Sequence, residues 1–342
     1  MMEDERYIIE TEEIKTEPTS RWRLPVLAQL GIIVLIIGGL FAGLMPDVNG
    51  LFNDEENQTN QEIFIVDKKL EPKNSIQKID PSTVSLVADS AFVWDIKEQR
   101  VLYEKESNEV MPLASITKLM TALLAYELVT DNTEIIVGET ASRQESGGNL
   151  REGEIFAVKS LADFALVSSY NSAAYAIADS VGAMLGDEDS VEQFVAGMNI
   201  KAEELNLNNL EFINPTGLDI SETKAGAYGT AKEVSFLVEY ILLNYPEILK
   251  PTTATNFKIY NKAGEYHEAD NTNDIITDIP NLLGSKTGYT DLAGGNLTVV
   301  VDVGFDHPVV ITVLGSTLQD RFTDVETLIK SIQASIVLSE KS

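Results

Sequence analysis

Residues 112–121 read Pro-Leu-Ala-Ser-Ile-Thr-Lys-Leu-Met-Thr, and the helix that begins in this stretch decides how the rest of the chain is arranged. Leu119–Leu128 follows as LMTALLAYEL, rich in helix formers, so a helix is expected to open just after Pro112. Ser115 and Lys118 stand at i and i+3, which share a helix face, so the amine lies beside the hydroxyl. A hydroxyl at its ordinary pKa is a poor nucleophile and needs an adjacent base. A lysine becomes that base when burial and a second cation lower its pKa. A serine at a helix N-terminus also has backbone N–H groups free to meet a developing oxyanion.

Two further short motifs follow in order: Ser169-Tyr170-Asn171 in an Ala-rich stretch from Leu161 to Gly182, and Lys286-Thr287-Gly288 before a pair of β-branched runs. Alone, each has a bland explanation: a capping serine with a solvated lysine, a polar helix break, a glycine turn. As an ordered triple they form the Ser-Lys, Ser-x-Asn, Lys-Thr-Gly set of the serine penicillin-recognising enzymes. Lys286 is then the candidate second cation.

The elements around these motifs suggest one fold class. Ser90–Ile96, the turn from Lys97 to Arg100 and Val101–Tyr103 read as a strand hairpin, and Leu297–Val303 with Val309–Leu314 as another. The stretch from Leu161 to Gly182 reads as a buried helical region. Leu318, Phe322, Val325, Leu328, Ile332 and Ile336 form one apolar stripe of a last helix. Strands at both ends with helices between them give an α/β (α+β) domain whose sheet joins the two chain ends around a helical insertion.

Composition excludes much else. The 342 residues are 44% apolar, enough for a sizeable core, yet carry 25 Lys+Arg against 54 Asp+Glu, a net charge of −29. Such a surface repels phosphate backbones, so no nucleic-acid partner is expected. With no cysteine and only His267 and His307, both read as loop residues, no metal and no cofactor is assigned. Residues 24–45, LPVLAQLGIIVLIIGGLFAGLM, are uncharged and long enough to cross a hydrocarbon core. Lys15, Arg21 and Arg23 precede them and no base occurs from Pro46 to Asp67, which puts residues 1–23 in the cytoplasm. The expected organisation is a cytoplasmic tail (1–23), a single transmembrane anchor (24–45), an extracytoplasmic linker (46–80) and a catalytic domain (81–342) on the periplasmic or cell-wall side. Trp22 is read as an interfacial anchor and Trp94 as core. A cleaved signal peptide is the alternative; the long acid-rich leader argues against it.

From about residue 84 to 338 the chain resembles the D-alanyl-D-alanine carboxypeptidase family of low-molecular-mass penicillin-binding proteins. The resemblance rests on the segment 112–121, on Leu150-Arg151-Glu152-Gly153-Glu154, on Phe212-Ile213-Asn214-Pro215-Thr216-Gly217-Leu218-Asp219, on Asn271-Thr272-Asn273, on Gly284-Ser285-Lys286-Thr287-Gly288-Tyr289-Thr290, and on Arg321-Phe322. It implies a five-stranded antiparallel sheet flanked by helices, with the site beside a helical subdomain. It implies Ser115 as the acylated nucleophile and Lys118 as its base, with Ser169 relaying a proton to the leaving D-alanine. It further implies that Asn171, Lys286, Thr287, Gly288 and Arg321 bind substrate, and that the N–H groups of Ser115 and Tyr289 form the oxyanion hole. The implied partners are peptidoglycan stem peptides ending in D-Ala-D-Ala and β-lactam antibiotics.

Two positions depart from the family pattern: Tyr170 stands for its usual Gly and Ser172 for its usual Asp, and the ring is expected to narrow the cleft or alter preference. Fewer residues follow Gly288 than a β-rich second domain needs, so anchoring is expected to fall to the N-terminal span. Three rival readings share the motifs. A β-lactamase would want a Glu where Ala202 stands before Leu205-Asn206, with Glu203 and Glu204 out of register. A D,D-endopeptidase and a catalytically idle membrane-tethered binding protein are the others. Residues 81–342 hold 17 bases and 39 acids, so the domain is expected to be acidic everywhere but in its active-site groove, around Lys118, Lys286 and Arg321.

Overall fold

The computed structural model describes residues 75–337, apart from 187, 188 and 305. The tail, the membrane span and most of the linker expected before residue 80 therefore lie outside the described residues. Among the described residues no helix is long and apolar enough to cross a membrane.

Strands β1 (Ser90–Asp95) and β2 (Arg100–Lys105) make the expected first hairpin. A separate hairpin, β3 (Asn256–Tyr260) and β4 (Tyr266–Asp270), precedes the meander β5 (Leu282–Thr290), β6 (Gly294–Asp302) and β7 (Pro308–Ser316). The main sheet runs β5-β6-β7-β1-β2, antiparallel throughout. Its closure is the β7–β1 ladder, in which Val309 faces Asp95 and Leu314 faces Ser90, so the two ends of the chain do share one sheet. Among the described residues, the helices of ten or more residues complete the frame: α1 (Lys118–Leu128), α2 (Val158–Val167), α3 (Asn171–Gly182), α4 (Ser190–Glu204), α5 (Ala231–Asn244) and α6 (Asp320–Ala334).

Side-chain alternation along the strands gives the sheet two apolar faces. Val309, Ile311 and Val313 join Ala91, Val93 and the α6 residues Phe322, Val325, Leu328 and Ile332. Val310 and Leu314 point the other way, with Phe92, toward α5 and the helical layer. Both faces are apolar, so hydrophobicity alone does not pin the register. Buried hydroxyls help to do so: Thr312 Oγ1 bonds Thr298 Oγ1 and Ser235 Oγ, each at 2.8 Å. A one-residue slip would strand Thr312 among valines, at a cost of about 1–3 kcal/mol for an unpaired buried hydroxyl.

The expected buried helical region is present, in two pieces, and three other expectations need correction. The Ala-rich region is two helices broken at Ser168–Tyr170, because Ser169 takes a left-handed φ of 61° that a helix interior forbids. The last apolar stripe is shorter than expected. Thr317 Oγ1 accepts the Asp320 N–H and starts α6 late, leaving Leu318 48% exposed before it, while Ile336 pairs with Ile76 in a two-residue ladder after it. His267 lies on strand β4, not in a loop, with Nε2 3.0 Å from Glu154 Oε1. His307 does sit in the β6–β7 turn, but buried, with Nε2 2.6 Å from Asp95 Oδ1. Trp94 is half-buried, edge-on to Phe236, and its indole N–H reaches Glu239 at 2.9 Å.

Candidate active site

Ser115 sits in a 3-10 turn, Ala114–Thr117, that feeds α1 without a break. Its predecessor Ala114 holds a φ of 48°, and Ser169 at the helix break holds 61°, so two non-glycine residues in a disfavoured region flank the same site. The i, i+3 spacing delivers what it predicts: Lys118 Nζ is 2.7 Å from Ser115 Oγ. The same nitrogen donates to Asn171 Oδ1 at 2.7 Å and to the Thr216 carbonyl at 2.8 Å. These two acceptors have no proton to give, so a neutral Lys118 spends its two N–H groups on them. Its lone pair is then left for the serine hydroxyl.

Burial makes that neutral form accessible. Lys118 is fully buried, and desolvation lowers its pKa from 10.5 to about 7. Lys286 is likewise held well below the lysine range, by burial first, then by the charges of Lys118 and Arg321, and the repulsion between the two lysines acts on both. Lys286 Nζ donates to Ser169 Oγ at 2.9 Å and to the Thr287 carbonyl at 2.8 Å. The site thus contains two Ser–Lys pairs, one from α1 and one bridging the α2–α3 break to β5.

Strand β5 passes close to Ser115. A Cβ on Gly288 would lie 2.9 Å from the Leu113 carbonyl and 3.2 Å from the Ser115 nitrogen, so a side chain there would push the strand away. Thr287 is buried, its hydroxyl paired with Thr272 Oγ1, while Tyr289 beyond it is 46% exposed. Arg321 is no surface charge: it is 6% exposed, and Nη1 donates to the Gly288 carbonyl at 2.8 Å. Its Nε is buried without a partner among the described residues. Burial lowers its pKa to about 10, against the pull of Asp274 and Tyr289, so it stays charged at neutral pH.

Asn171 is oriented from behind. Its Nδ2 donates to the Glu145 carbonyl at 2.7 Å, which turns Oδ1 toward Lys118, and its backbone N–H reaches Ser146 O at 3.2 Å. Ser172 Oγ bonds the Gly147 carbonyl, holding the same loop. The Tyr170 ring packs on Phe164, with centroids 4.7 Å apart, and lies over Gly148. The fold brings the nine candidate residues of the sequence reading into one neighbourhood, with supports that reading did not assign: the Thr216 and Glu145 carbonyls, and Asn273, whose Nδ2 bonds Ser285 Oγ at 3.1 Å. Backbone acceptors leave no residue-type signature. Among the described residues no cluster of His, Cys, Asp and Glu could hold a metal.

Comparison with known proteins agrees with this geometry. The chain is 32% identical over 249 residues to the D-alanyl-D-alanine carboxypeptidase DacF of Bacillus subtilis, covering 71% of this chain but only 61% of DacF. It is 27% identical to a D-alanyl-D-alanine endopeptidase of Escherichia coli, covering 68% of this chain and 73% of that protein. Among solved structures, the cefotaxime-bound form of a penicillin-binding protein from Listeria monocytogenes superposes with a TM-score of 0.62 at 27% identity, over 73% of this chain and 98% of that one. The Streptomyces K15 DD-transpeptidase shares the fold, with a TM-score of 0.65 at 21% identity over 73% of this chain and 98% of that one. The family model for D-alanyl-D-alanine carboxypeptidase matches residues 76–317, the span that holds both Ser–Lys pairs and the Lys-Thr-Gly strand, and the chain belongs to that family.

Proposed function

We propose that the chain is a serine-type D-Ala-D-Ala carboxypeptidase that removes the terminal D-alanine from peptidoglycan stem pentapeptides through a Ser115 acyl-enzyme. The observation that carries the reading is the Ser115–Lys118 pair, 2.7 Å apart, with the other two Lys118 partners both acceptors. Neutral Lys118 takes the hydroxyl proton as Oγ attacks the penultimate D-alanine carbonyl, and the oxyanion meets the N–H groups of Ser115 and Tyr289. Ser169, bonded to Lys286, relays the proton held on Lys118 to the departing amine, and free D-alanine leaves. Lys286, Thr287 and Arg321 receive the terminal carboxylate, with Gly288 keeping the strand close and Asn171 holding the substrate amide. Water then attacks the ester, giving up a proton that Lys118 passes to Ser115 as the shortened peptide leaves.

A β-lactam is trapped by the same serine. Fast β-lactam turnover finds no support in the stretch before Leu205-Asn206: Ala202 is buried, and Glu203 and Glu204 are exposed on α4. Endopeptidase action is the second reading, favoured by relatives that carry that name and are matched over more of their length than DacF. Release of D-alanine from a pentapeptide, set against cleavage of cross-linked dimers, separates the two. Loss of both activities in Ser115→Ala ties them to this site; an unlabelled wild type in fluorescent penicillin would turn the reading to an idle binding protein. Residues 24–45 would hold the domain at the outer membrane face by one span, a topology testable by protease protection of intact cells.

A further inference from the structure

Thr216 supplies one of the two fixed acceptors of Lys118, yet it lies in an irregular loop, so nothing in a helix or strand ladder aims its carbonyl. The Asn214 side chain gathers that loop. Its Oδ1 accepts the Thr216 N–H at 3.0 Å, the Thr216 hydroxyl at 3.0 Å and the Gly217 N–H at 2.7 Å. Its Nδ2 donates to the Leu218 carbonyl at 2.8 Å. The preceding carbonyl, Pro215 O, accepts from Thr121 Oγ1 at 2.7 Å, one turn along α1 from Lys118. Two successive carbonyls of the loop are therefore gripped by two side chains on one face of the nucleophile's helix.

We infer that Asn214 is a positioning residue for Lys118: its carboxamide folds the 214–218 loop so that the Thr216 carbonyl fixes one N–H of the amine and turns the lone pair to Ser115. The inference rests on the acyl-enzyme reading above, in which Lys118 is the base. A carboxamide is needed because the site asks for an acceptor on one side and a donor on the other. An aspartate keeps the three accepted bonds, loses the bond to Leu218, and brings a negative charge toward Lys118. The other partners of Lys118, Ser115, Asn171 and Thr216, are neutral, and the nearby charged group is Lys286 on β5.

The test uses the extracytoplasmic protein in its full chain, acylated by a fluorescent penicillin over a range of pH, with wild type and Ser115→Ala as controls. Asn214→Ala is expected to lower the limiting acylation rate by about 10- to 100-fold, the loss that a misplaced base produces, with little change in the concentration for half-saturation. Asn214→Asp is expected to move the acidic limb of the profile upward, because a nearby negative charge favours the charged lysine. Lysine titration followed by NMR of the ε-carbons reads the same shift without activity and serves if Asn214→Ala folds poorly. Wild-type rate and limb in Asn214→Ala, or a lowered melting temperature with both unchanged, would overturn the inference and leave the acyl-enzyme reading standing. Failure of wild type to label would instead remove that reading.

Discussion

Two buried charge clusters hang on the one sheet and are built on opposite rules. At one end, Asp95 on β1 has a fully buried side chain, bonded to His307 at 2.6 Å and to Arg100 at 3.2 Å. Its ladder row runs through Val309 and Val301 to Leu282, four residues before Lys286 on β5. At the other end Lys118, Lys286 and Arg321 are buried with no carboxylate in ion-pair range among the described residues, and neutral oxygens take every hydrogen bond they make. A paired buried charge holds a structure together, while an unpaired one is costly and must yield by shifting its pKa. The shifted group is the one able to move protons near neutrality. The contrast assigns architecture to the first cluster and chemistry to the second.

The sharpest way to break the comparison is Ser115→Ala. It should remove covalent labelling by penicillin and lower D-alanine release by about a thousandfold or more, as removal of a nucleophile does in serine hydrolases. Labelling equal to wild type would move the nucleophile elsewhere and leave the cation cluster without a purpose. Next in size is Lys118→Ala, expected to cost about 10²- to 10⁴-fold, the usual worth of a general base.

With Lys118 as the proposed base, the lysine should also set the pH dependence. Its base form is the neutral amine, so activity should rise as pH climbs through about 7, and this limb should vanish in Lys118→Ala. Stability follows the same direction. The unfolded chain keeps this proton up to about 10.5 and the folded one releases it near 7. Folding is therefore penalised in full below about 7 and gains stability as pH rises between those values. A melting temperature indifferent to pH across that window, compared with Lys118→Met, would contradict the unpaired-lysine account.

A smaller effect tests the loop behind Asn171. Gly148 has a φ of 65°, and a Cβ there would come 2.4 Å from Tyr170 Cδ2. Gly148→Ala should displace the 145–148 carbonyls, release the Asn171 amide and lower acylation by about tenfold, a misplacement cost well short of losing the base. Removing the ring in Gly148→Ala with Tyr170→Gly should recover most of that loss. A double variant no better than the single one would mean that the φ strain, not the ring contact, is at fault.

Much of the cation cluster could be read in the chain, because Ser-x-x-Lys, Ser-x-Asn and Lys-Thr-Gly each fix a side-chain type at a spacing with one geometric meaning. The sheet was legible for the same reason: β-branched runs at both ends of the chain had to bury two faces. Three things were not. The break at Ser169 depends on a left-handed φ that no composition rule assigns to serine. The acceptors that aim Lys118 and Asn171 are backbone carbonyls, identical in every residue. The partners of His267 and His307 are Glu154 and Asp95, separated from them in sequence by 113 and 212 residues, so neither pairing could be read from the histidines' neighbours.

The paired cluster should respond to mutation in stability alone. Asp95→Ala leaves His307 and Arg100 without their shared acceptor, and removing one partner of a buried pair costs about 3–5 kcal/mol. Arg100 is partly exposed and can turn to water, so the lower figure is expected, seen as an earlier midpoint in urea with an unchanged slope. Penicillin acylation of the folded protein, with its limb near pH 7, should stay at the wild-type rate, since the β5 residues that face Ser115 are separated from Asp95 by two intervening strands. A fall in acylation that parallels the fall in stability would mean that the sheet couples its two ends. The division between the carboxylate that braces the fold and the lysines that act would then fail.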